Sequence, residues 1–455
     1  LFNIFINMIN TKCIKINNDT LDRLKIQFNK ELKINEVQTY FPVLSLFFEL
    51  YNDSKTNFVL NSNFLVTSLL EPINHIKSDS YIKYFFKANI LNQNNNETIE
   101  KNIFIKILPI LNVSQSMMNE YNVTHNKKLP NIHSSITSKK INNYNNSAYI
   151  DSFFSYLGSI LTEKGKCPTF PLFFGTFTGI AEEFKDDISE EFNSIKNTSW
   201  FKKNVNKHFE IHNIDIDHPK HLDIDDDEIR PIDVEVEAEE LNSDDDVDAE
   251  ELNNSSDEAG DEDGDDDEVE ELNPSENEAG DNDSDSIKSN EPMDNMKIFN
   301  CDNISLNSDS DFSLNSCDIH DINYCCVNDY PVQINCIEML EYTLDTYIER
   351  THNIPEIEWK SILFQICFGL SVAQKHYDFV HNDLHSSNIM FKETDMEYLY
   401  YNFKGTCFKI PTFGKIVKII DFGRATFNYK NRVFFSDVFK KNGDAEGQYS
   451  SPYLN

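Results

Sequence analysis

The pattern of apolar and polar positions predicts a group of β-strands in the first half of the chain. Short apolar or alternating runs are separated there by Asn-rich turns, which is typical of strands joined by short loops. Strands are expected at residues 57–60, 64–70, 81–86, 103–108 and 170–177. Residues 330–341 resemble these runs and predict a buried strand that leads into a connector.

Two segments instead repeat their apolar positions every three or four residues, which predicts helices. The first covers residues 148–157 and is expected to end at Gly158. The second is an amphipathic helix of about five turns, and its apolar stripe consists of Trp359, Ile362, Leu363, Ile366, Leu370 and Ala373.

Residues 181–329 show neither period and are predicted to be an insertion with a disordered acidic centre. Residues 221–290 hold 32 acidic and two basic residues, so they carry −30 of the chain's net charge of −37. Burying their 12 Leu, Ile and Val side chains at about 1.5–3 kcal/mol each cannot offset about 1–2 kcal/mol per ordered backbone. The sequence 250–261 is echoed at 270–281, which favours an expanded, solvated linker. The alternative is a polyanion that binds basic partners or is phosphorylated at Ser243, Ser255 and Ser256.

Charge and composition exclude several classes of function. The chain has no Lys/Arg-dense stripe, which argues against direct nucleic-acid binding. No apolar run approaches the ~18 residues of a membrane span, so no membrane insertion is expected. Nine cysteines without a C-x-x-C pair predict neither a disulfide framework nor a zinc site, and the adjacent Cys325 and Cys326 are interpreted as incidental. An intracellular, cytoplasmic location is expected.

The segment 381–390 carries the strongest chemical signal. Asp383 and Asn388 lie five residues apart on one predicted loop, so both can face one site. Asp383 can accept a proton from an attacking hydroxyl, and the amide oxygen of Asn388 can bind a hard cation. His381 is expected to support the loop from below. Farther along, Asp421 follows an apolar strand and precedes Phe422-Gly423, which supplies a second carboxylate for Mg²⁺.

These residues resemble a known family. His381-x-Asp383-Leu-x-x-x-Asn388 followed by Asp421-Phe-Gly423 resembles the catalytic loop and the DFG motif of protein kinases. The residues of both motifs resemble those of kinase-like proteins of large DNA viruses of the mimivirus type. The resemblance implies a two-lobed α+β fold and transfer of the γ-phosphate of ATP, with Mg²⁺, to Ser or Thr of a protein substrate.

The resemblance also implies roles for residues outside the two motifs. Lys106, on a strand like the family's V-A-I-K strand, would bind the ATP phosphates and act with the catalytic residues Asp383, Asn388 and His381. Residues 339–342 resemble the connector between lobes, which makes Leu340 the expected gatekeeper. The ATP-binding set is expected to comprise Lys106, Asp151, Leu340, Glu341, Thr343, Asn388, Asp421 and Gly423, with Asn388 and Asp421 as the metal ligands.

The chain departs from the family pattern at several points. No glycine precedes Gly158, so the glycine-rich loop expected before the strand of Lys106 is absent. Asp151 stands where the family has a Glu, and it is either the partner of Lys106 or a solvated helix residue. Asn382 replaces an Arg that contacts an activation-loop phosphate. Residues 449–453 resemble the end of an activation segment, and residues 391–418 predict a hairpin.

The sequence leaves two rival functions open. The absence of a glycine-rich loop before the strand of Lys106 favours a kinase-like scaffold without activity. The sequence of residues 381–385 favours a small-molecule kinase. A separate constellation places His208, His212, His218 and His221 among acidic residues and could bind a transition metal. Because that segment is predicted to be unfolded, a solvated stretch is the favoured interpretation.

The predicted organisation therefore has four parts. Residues 1–54 form an N-terminal extension, 55–180 a β-rich small lobe, 181–329 the acidic insertion, and 330–455 the connector with the beginning of a helical large lobe. That large lobe is expected to be truncated at residue 455, which indicates a fragment. Basic proteins are possible partners of the insertion.

Overall fold

The computed structural model describes residues 13–48, 57–73, 84–121, 128–132, 139–214, 230–231, 322–351, 353–441 and 443–448. The strands are β1 Cys13–Lys15, β2 Ile34–Gln38, β3 Phe58–Leu60, β4 Phe64–Pro72, β5 Tyr84–Asn92, β6 Glu97–Pro109, β7 Phe173–Asp187, β8 Glu210–Ile214, β9 Arg230–Pro231, β10 Ile322–Glu338, β11 Tyr342–Thr343, β12 Ile389–Glu393, β13 Tyr398–Phe403, β14 Thr406–Pro411, β15 Lys415–Ile419, β16 Thr426–Tyr429 and β17 Arg432–Phe435. The helices are α1 Asn18–Leu32, α2 Leu44–Phe47, α3 Val113–Met117, α4 Ser147–Glu163, α5 Ser189–Ile195, α6 Ser199–Asn204, α7 Leu344–Arg350 and α8 Glu356–Tyr377.

A curled β-sheet whose strand pairs are antiparallel organises the fold together with the helices, which confirms the predicted α+β class. Its strands follow the order β2-β7-β10-β6-β5-β4, and β8 adds to β10 and then pairs with β9. The neighbours β10 and β6 are antiparallel, with Lys106 opposite Asn335. This pairing joins two strands that are far apart in sequence, and it brings the middle of β6 beside the chain that follows the long acidic segment.

Helix α4 packs on this sheet and is buried on nearly all of its faces. Asn146 begins the helix by accepting a hydrogen bond from the Ala148 N–H. The rings of Phe153 and Phe154 lie in one aromatic cluster with residues that follow α8, and Phe154 stacks on Phe379 at a centroid distance of 4.0 Å. The helix is therefore held in place by the sheet and by this aromatic cluster.

The prediction that this helix ends at Gly158 is wrong, because α4 continues to Glu163. A Cβ atom at Gly158 would lie 3.0 Å from Cγ of Phe170. The glycine is therefore a point of close approach between the helix and the segment before β7, where a side chain would collide. A glycine inside a helix costs about 1 kcal/mol, and burial of the surrounding aromatic side chains outweighs it.

Several predicted boundaries are also shifted. The boundary at residue 181 falls inside β7, and the boundary at 329 falls inside β10, because these strands pair along most of their length. The ordered chain therefore continues through α5, α6 and β8 beyond the predicted small lobe. The strand expected at 81–86 begins at Tyr84, with 81–83 outside the described residues, and the strand expected at 170–177 begins at Phe173.

The predicted N-terminal extension contributes to the same core. Leu24 and Phe28 of α1 are fully buried, and β2 pairs with β7. Phe28 meets Phe177 edge to face at 5.3 Å. Residues 13–48 are thus part of the folded unit and not an appendage.

The elements after β10 follow the predicted order. Helix α8 spans the predicted amphipathic segment, and β13 and β14 form the predicted hairpin within 391–418. Tyr401 of the hairpin packs against Phe364 and Phe368 of α8, which covers part of the apolar surface of that helix. Within the described part of the chain, no helix combines the length and apolar character needed to cross a membrane. The acidic repeats lie outside the described residues.

Candidate active site

A cleft of about 350 Å³ is lined by β6, α4, the connector after β10 and the chain that follows β15. Its walls include the apolar side chains of Phe85, Phe104, Leu340 and Met390, and its polar side chains include Lys106. Apolar walls with a few convergent charged groups are typical of a ligand site. The cleft is therefore the candidate ligand site.

Lys106 reaches this cleft because β6 alternates. Ile103 and Ile105 are buried in the core, so Phe104 and Lys106 point to the opposite face. The Lys106 Nζ lies 3.1 Å from Asp151 Oδ1 and 3.2 Å from Asp421 Oδ1. Burial by itself would lower the pKa of Lys106, but the two carboxylates outweigh burial and raise this pKa well above its usual range.

Asp151 is a buried member of this group, with a side chain that is 2% exposed. It accepts hydrogen bonds from Lys106, from Asn335 Nδ2 at 3.0 Å and from the Phe422 N–H at 2.7 Å. Asn335 Oδ1 in turn accepts hydrogen bonds from the hydroxyls of Ser152 and Thr176. The interpretation of Asp151 as a solvated helix residue is therefore wrong, and the interpretation as the contact of Lys106 agrees with the geometry.

Asp421 carries the second carboxylate and is about half exposed. The nearby Lys106 ammonium lowers its pKa. The residue adopts a left-handed backbone conformation with φ 63°, which costs an L-residue about 1–2 kcal/mol. The rings of Phe154 and Phe422, 4.9 Å apart, hold the next residue in place. Local strain offset by packing next to a charged group is typical of functional sites.

The loop 381–388 lies against the same segment. His381 Nε2 is 2.9 Å from the carbonyl oxygen of Ile420, and burial lowers the pKa of His381. Nδ2 of the Asn388 side chain donates a hydrogen bond to the backbone carbonyl of Asp383 at 2.9 Å. The backbone carbonyl of Asn388 accepts a hydrogen bond from the Ile420 N–H. Because the side-chain contact uses the amide nitrogen Nδ2, the amide oxygen Oδ1 is the side-chain atom of Asn388 that suits a cation.

Asp383 itself forms an ion pair, which the sequence did not predict. Arg424 Nη1 lies 3.0 Å from Asp383 Oδ1, and both side chains are about one-third exposed. Asn382 donates to the Arg424 carbonyl and to the Thr426 hydroxyl, both at 2.9 Å. Asn382, which stands where protein kinases have an Arg, therefore connects the loop to the chain after Gly423 through hydrogen bonds. A Cβ at Gly423 would meet Asp421 only at an ordinary contact distance of 3.7 Å.

The connector residues have structural partners of their own. Leu340, Glu341 and Thr343 all line the cleft. The Glu341 N–H donates to the Phe391 carbonyl, and its carboxylate pairs with Lys392 at 2.7 Å. Thr343 begins α7 by accepting from the Thr346 N–H. Their position beside the cleft agrees with the predicted set, and their roles in nucleotide binding stay predictions.

Two residues that shape the site, Asn335 and Arg424, are absent from the set predicted from the sequence. Asn335 was an available signal, because it is a polar residue in the middle of an apolar strand and is fully buried. Such a residue needs hydrogen-bond partners in the core. Arg424 directly follows the motif of Asp421, but nothing local predicts that it pairs with Asp383. Residues 449–453, which resemble the end of an activation segment, lie outside the described residues.

Comparison with known proteins gives partial similarity. A serine/threonine-protein kinase haspin of Mus musculus is 39% identical over 79 residues, which is 17% of this chain and 10% of that protein. A haspin homolog of Arabidopsis thaliana is 35% identical over 81 residues, 18% of this chain and 14% of that protein. A candidate serine/threonine-protein kinase of Acanthamoeba polyphaga mimivirus is 36% identical over 104 residues, 19% of this chain and 26% of that protein.

The chain is similar to serine/threonine-protein kinases over part of its length. No family model matches it. The matches span about a tenth to a quarter of the length of these relatives. The similarity agrees with the resemblance of the two motifs around Asp383 and Asp421.

Proposed function

We propose that this protein is a protein-kinase-like phosphotransferase that moves the γ-phosphate of ATP to a Ser or Thr hydroxyl of a protein substrate. The observation that carries the proposal is the contact of Lys106 with both Asp151 and Asp421 at the wall of one cleft. An ammonium group that contacts two carboxylates is positioned to bind phosphate oxygens, because the carboxylates keep it protonated and hold its side chain in one orientation. The kinase names of the partial relatives support the same reaction.

Each site residue has a role in this proposal. Lys106 binds the phosphates, and Asp151 is a positioning residue that holds Lys106. Asp383 orients the acceptor hydroxyl and takes its proton. His381 positions the loop through Ile420. The adenine would lie among the apolar residues of the cleft wall, next to Leu340, Glu341 and Thr343.

The donor set also suits a magnesium ion. Asp421 offers a half-exposed carboxylate whose lowered pKa keeps it ionised, and Asn388 offers a neutral amide oxygen. Oxygen donors of this kind are what Mg²⁺ prefers, usually together with phosphate oxygens and water. When bound, the ion would neutralise charge on the phosphates. Asn388 and Asp421 are therefore the proposed metal ligands.

Partners and location are part of the same proposal. The acidic repeats would attract basic proteins through charge, which would raise the local concentration of basic substrates. An intracellular setting, where ATP is present, fits this reaction. The partial similarity to the mimivirus protein supports a viral type of kinase-like protein.

A kinase-like scaffold with little activity is the second candidate. The contact between Arg424 and Asp383 favours it, because a guanidinium at 3.0 Å competes with the acceptor hydroxyl for the carboxylate. The absence of a glycine before Gly158 points the same way. The scaffold would still bind ATP, whereas transfer would be absent.

The test measures transfer from γ-labelled ATP in the presence of Mg²⁺, with a basic protein and small alcohols as competing acceptors. We expect label on the protein acceptor, loss of transfer in Asp383→Asn, and unchanged ATP binding in that variant. Asp395→Asn is the matched control, since Asp395 is an exposed carboxylate outside the cleft. Label on the alcohols would favour a small-molecule kinase. ATP binding without any transfer would favour the scaffold, and full transfer by Asp383→Asn would refute the assigned role.

A further inference from the structure

Three side chains with metal-binding chemistry lie on one face of the sheet where β7, β10 and β8 are neighbours. Cys326 is opposite Glu210, Tyr324 is opposite His212, and Asn328 is opposite Glu183. Directly opposite residues share a face, and so does every second residue along a strand. Glu183, His212 and Cys326 therefore point to the same side.

The donor atoms of these residues also lie close together. One carboxylate oxygen, one ring nitrogen and the thiol sulfur are all within 4.8 Å of one another. His212 Nδ1 is 3.9 Å from Glu183 Oε1, which is too long for a hydrogen bond. Two ligands of a tetrahedral zinc ion, each at about 2.0–2.3 Å from it, are roughly 3.3–3.8 Å apart. Small shifts of the side chains would bring the three atoms to one ion.

One nitrogen atom of this group is buried without a hydrogen-bond partner among the described residues. Cys326 is 4% exposed, and the His212 side chain is 14% exposed. His212 Nδ1 is buried and has no hydrogen-bond partner among the described residues. A buried polar atom without a partner costs about 1–3 kcal/mol, so such atoms are rare unless an unseen group satisfies them. A bound cation would use this nitrogen.

The second ring nitrogen of His212 and the second carboxylate oxygen of Glu183 have partners of the kind expected next to a metal ligand. His212 Nε2 lies 3.4 Å from Glu210 Oε2. A metal-binding histidine usually donates its second ring N–H to a carboxylate, which fixes the ring. Glu183 contacts Lys185 through its second oxygen, Oε2, at 3.7 Å. This leaves Oε1 on the side of His212.

We propose that Glu183, His212 and Cys326 bind one zinc ion through Oε1, Nδ1 and Sγ. Glu210 orients the imidazole, and a water molecule completes the tetrahedron. A mixed nitrogen, sulfur and oxygen set is characteristic of zinc. The Cys326 thiol releases its proton to water when the ion binds, so the bound ligand is the thiolate.

The site has a structural consequence for the long acidic segment. His212 precedes that segment in the chain and Cys326 follows it, so one ion joins β8 to β10 at its two ends. Closing a long segment with a metal reduces the entropy of the open chain. The proposal replaces the earlier interpretation of His212 as one of four histidines in a solvated stretch. It also replaces the interpretation of Cys326 as incidental.

The test uses the whole chain after removal of metal with a chelator. Zinc is added, and bound ion per chain is measured by native mass spectrometry; Co²⁺ is titrated separately to detect the absorption of a thiolate–cobalt bond. We expect one ion per chain with thiolate absorption. Cys326→Ser is expected to lose the absorption and to bind zinc more than about 100-fold more weakly, whereas Glu210→Gln is expected to lose about 10–100-fold.

Cys325→Ser is the matched control. Cys325 is the adjacent buried thiol, but alternation places it on the opposite face. We expect this variant to bind zinc as the natural chain does. If Cys326→Ser does not fold, as judged by circular dichroism without metal, His212→Gln takes its place, because it removes a different ligand.

Three outcomes would overturn the proposal. The natural chain could bind no zinc at micromolar concentration. Cys326→Ser and His212→Gln could both keep full affinity. The double variant His218→Gln/His221→Gln could lose the ion while Cys326→Ser retains it, which would assign the ion to the other histidines of the sequence pattern.

Discussion

Replacing Asp151 with asparagine is expected to destabilise the fold and to weaken ATP binding. The Asp151 carboxylate is almost fully buried and accepts hydrogen bonds from Lys106, Asn335 and the Phe422 N–H. Removing one partner of a buried ion pair costs about 3–5 kcal/mol. Lys106 retains Asp421 and is 21% exposed, so we expect a loss near the lower end, about 3 kcal/mol.

The assay is denaturant unfolding of the natural chain, of Asp151→Asn, of Lys106→Met and of the double variant. Residues in direct contact give non-additive effects, usually by about 0.5–3 kcal/mol. The double variant should therefore lose less stability than the two single variants together. Additive losses, or a loss below about 0.5 kcal/mol for Asp151→Asn, would refute the importance of this contact.

The pH dependence gives an independent check on the same group. Lys106 lowers the pKa of Asp421 below its ordinary value of 3.8. A carboxyl group with a lowered folded pKa contributes stability above its unfolded pKa and loses it as the pH falls through the folded value. The stability difference between the natural chain and Lys106→Met should therefore be full at neutral pH and become smaller below about pH 3.8. A difference that is constant down to pH 2 would contradict this.

Asp151→Glu tests the comparison with the kinase family directly. The family's glutamate is one methylene longer, but the aspartate already reaches Lys106 at 3.1 Å in a buried position. An extra methylene in a packed core costs about 1–3 kcal/mol. We therefore expect Asp151→Glu to lower stability without improving ATP affinity, and improved affinity would contradict the geometry.

Two further predictions concern packing and catalysis. Gly369→Ala should destabilise the chain by about 1–3 kcal/mol, because the added Cβ would lie 2.6 Å from Cβ of Thr169. Alanine has the higher helix propensity, so propensity alone would predict the opposite sign. Denaturant unfolding measures the loss, and Ser371→Ala, on the exposed face of α8, is the control. If the chain transfers phosphate, Arg424→Ala should raise kcat up to about fivefold with little change in the KM for ATP. The reason is that an ion pair with Asp383 in which both side chains are about one-third exposed contributes about 0.2–1 kcal/mol. Arg424→Lys should stay near the natural rate, and a fall in kcat for Arg424→Ala would instead make Arg424 a positioning residue.

Elements with a local pattern could be predicted from the amino-acid sequence. The short apolar run at residues 103–108 predicts the strand that carries Lys106, since the pattern of a strand depends only on neighbouring residues. The spacing of apolar residues after Trp359 likewise predicts α8. The spacing within 381–388 places Asp383 and Asn388 on one loop, where the structure finds them in contact. The glycine at 158 was misread because the collision with Phe170 that it avoids is not a local feature.

Contacts between residues that are distant in sequence could be read from the folded chain alone. Lys106 and Asp421 are 315 residues apart in sequence, and their contact depends on the pairing of β6 with β10 and on the aromatic packing around Phe154. The ion pair of Asp383 with Arg424 has the same origin. Strand register depends on side chains from separate segments that fill one core, so no window of sequence contains it. For the same physical reason, the pairing of three strands brought Cys326 to His212, although the sequence pattern had placed His212 in a solvated stretch.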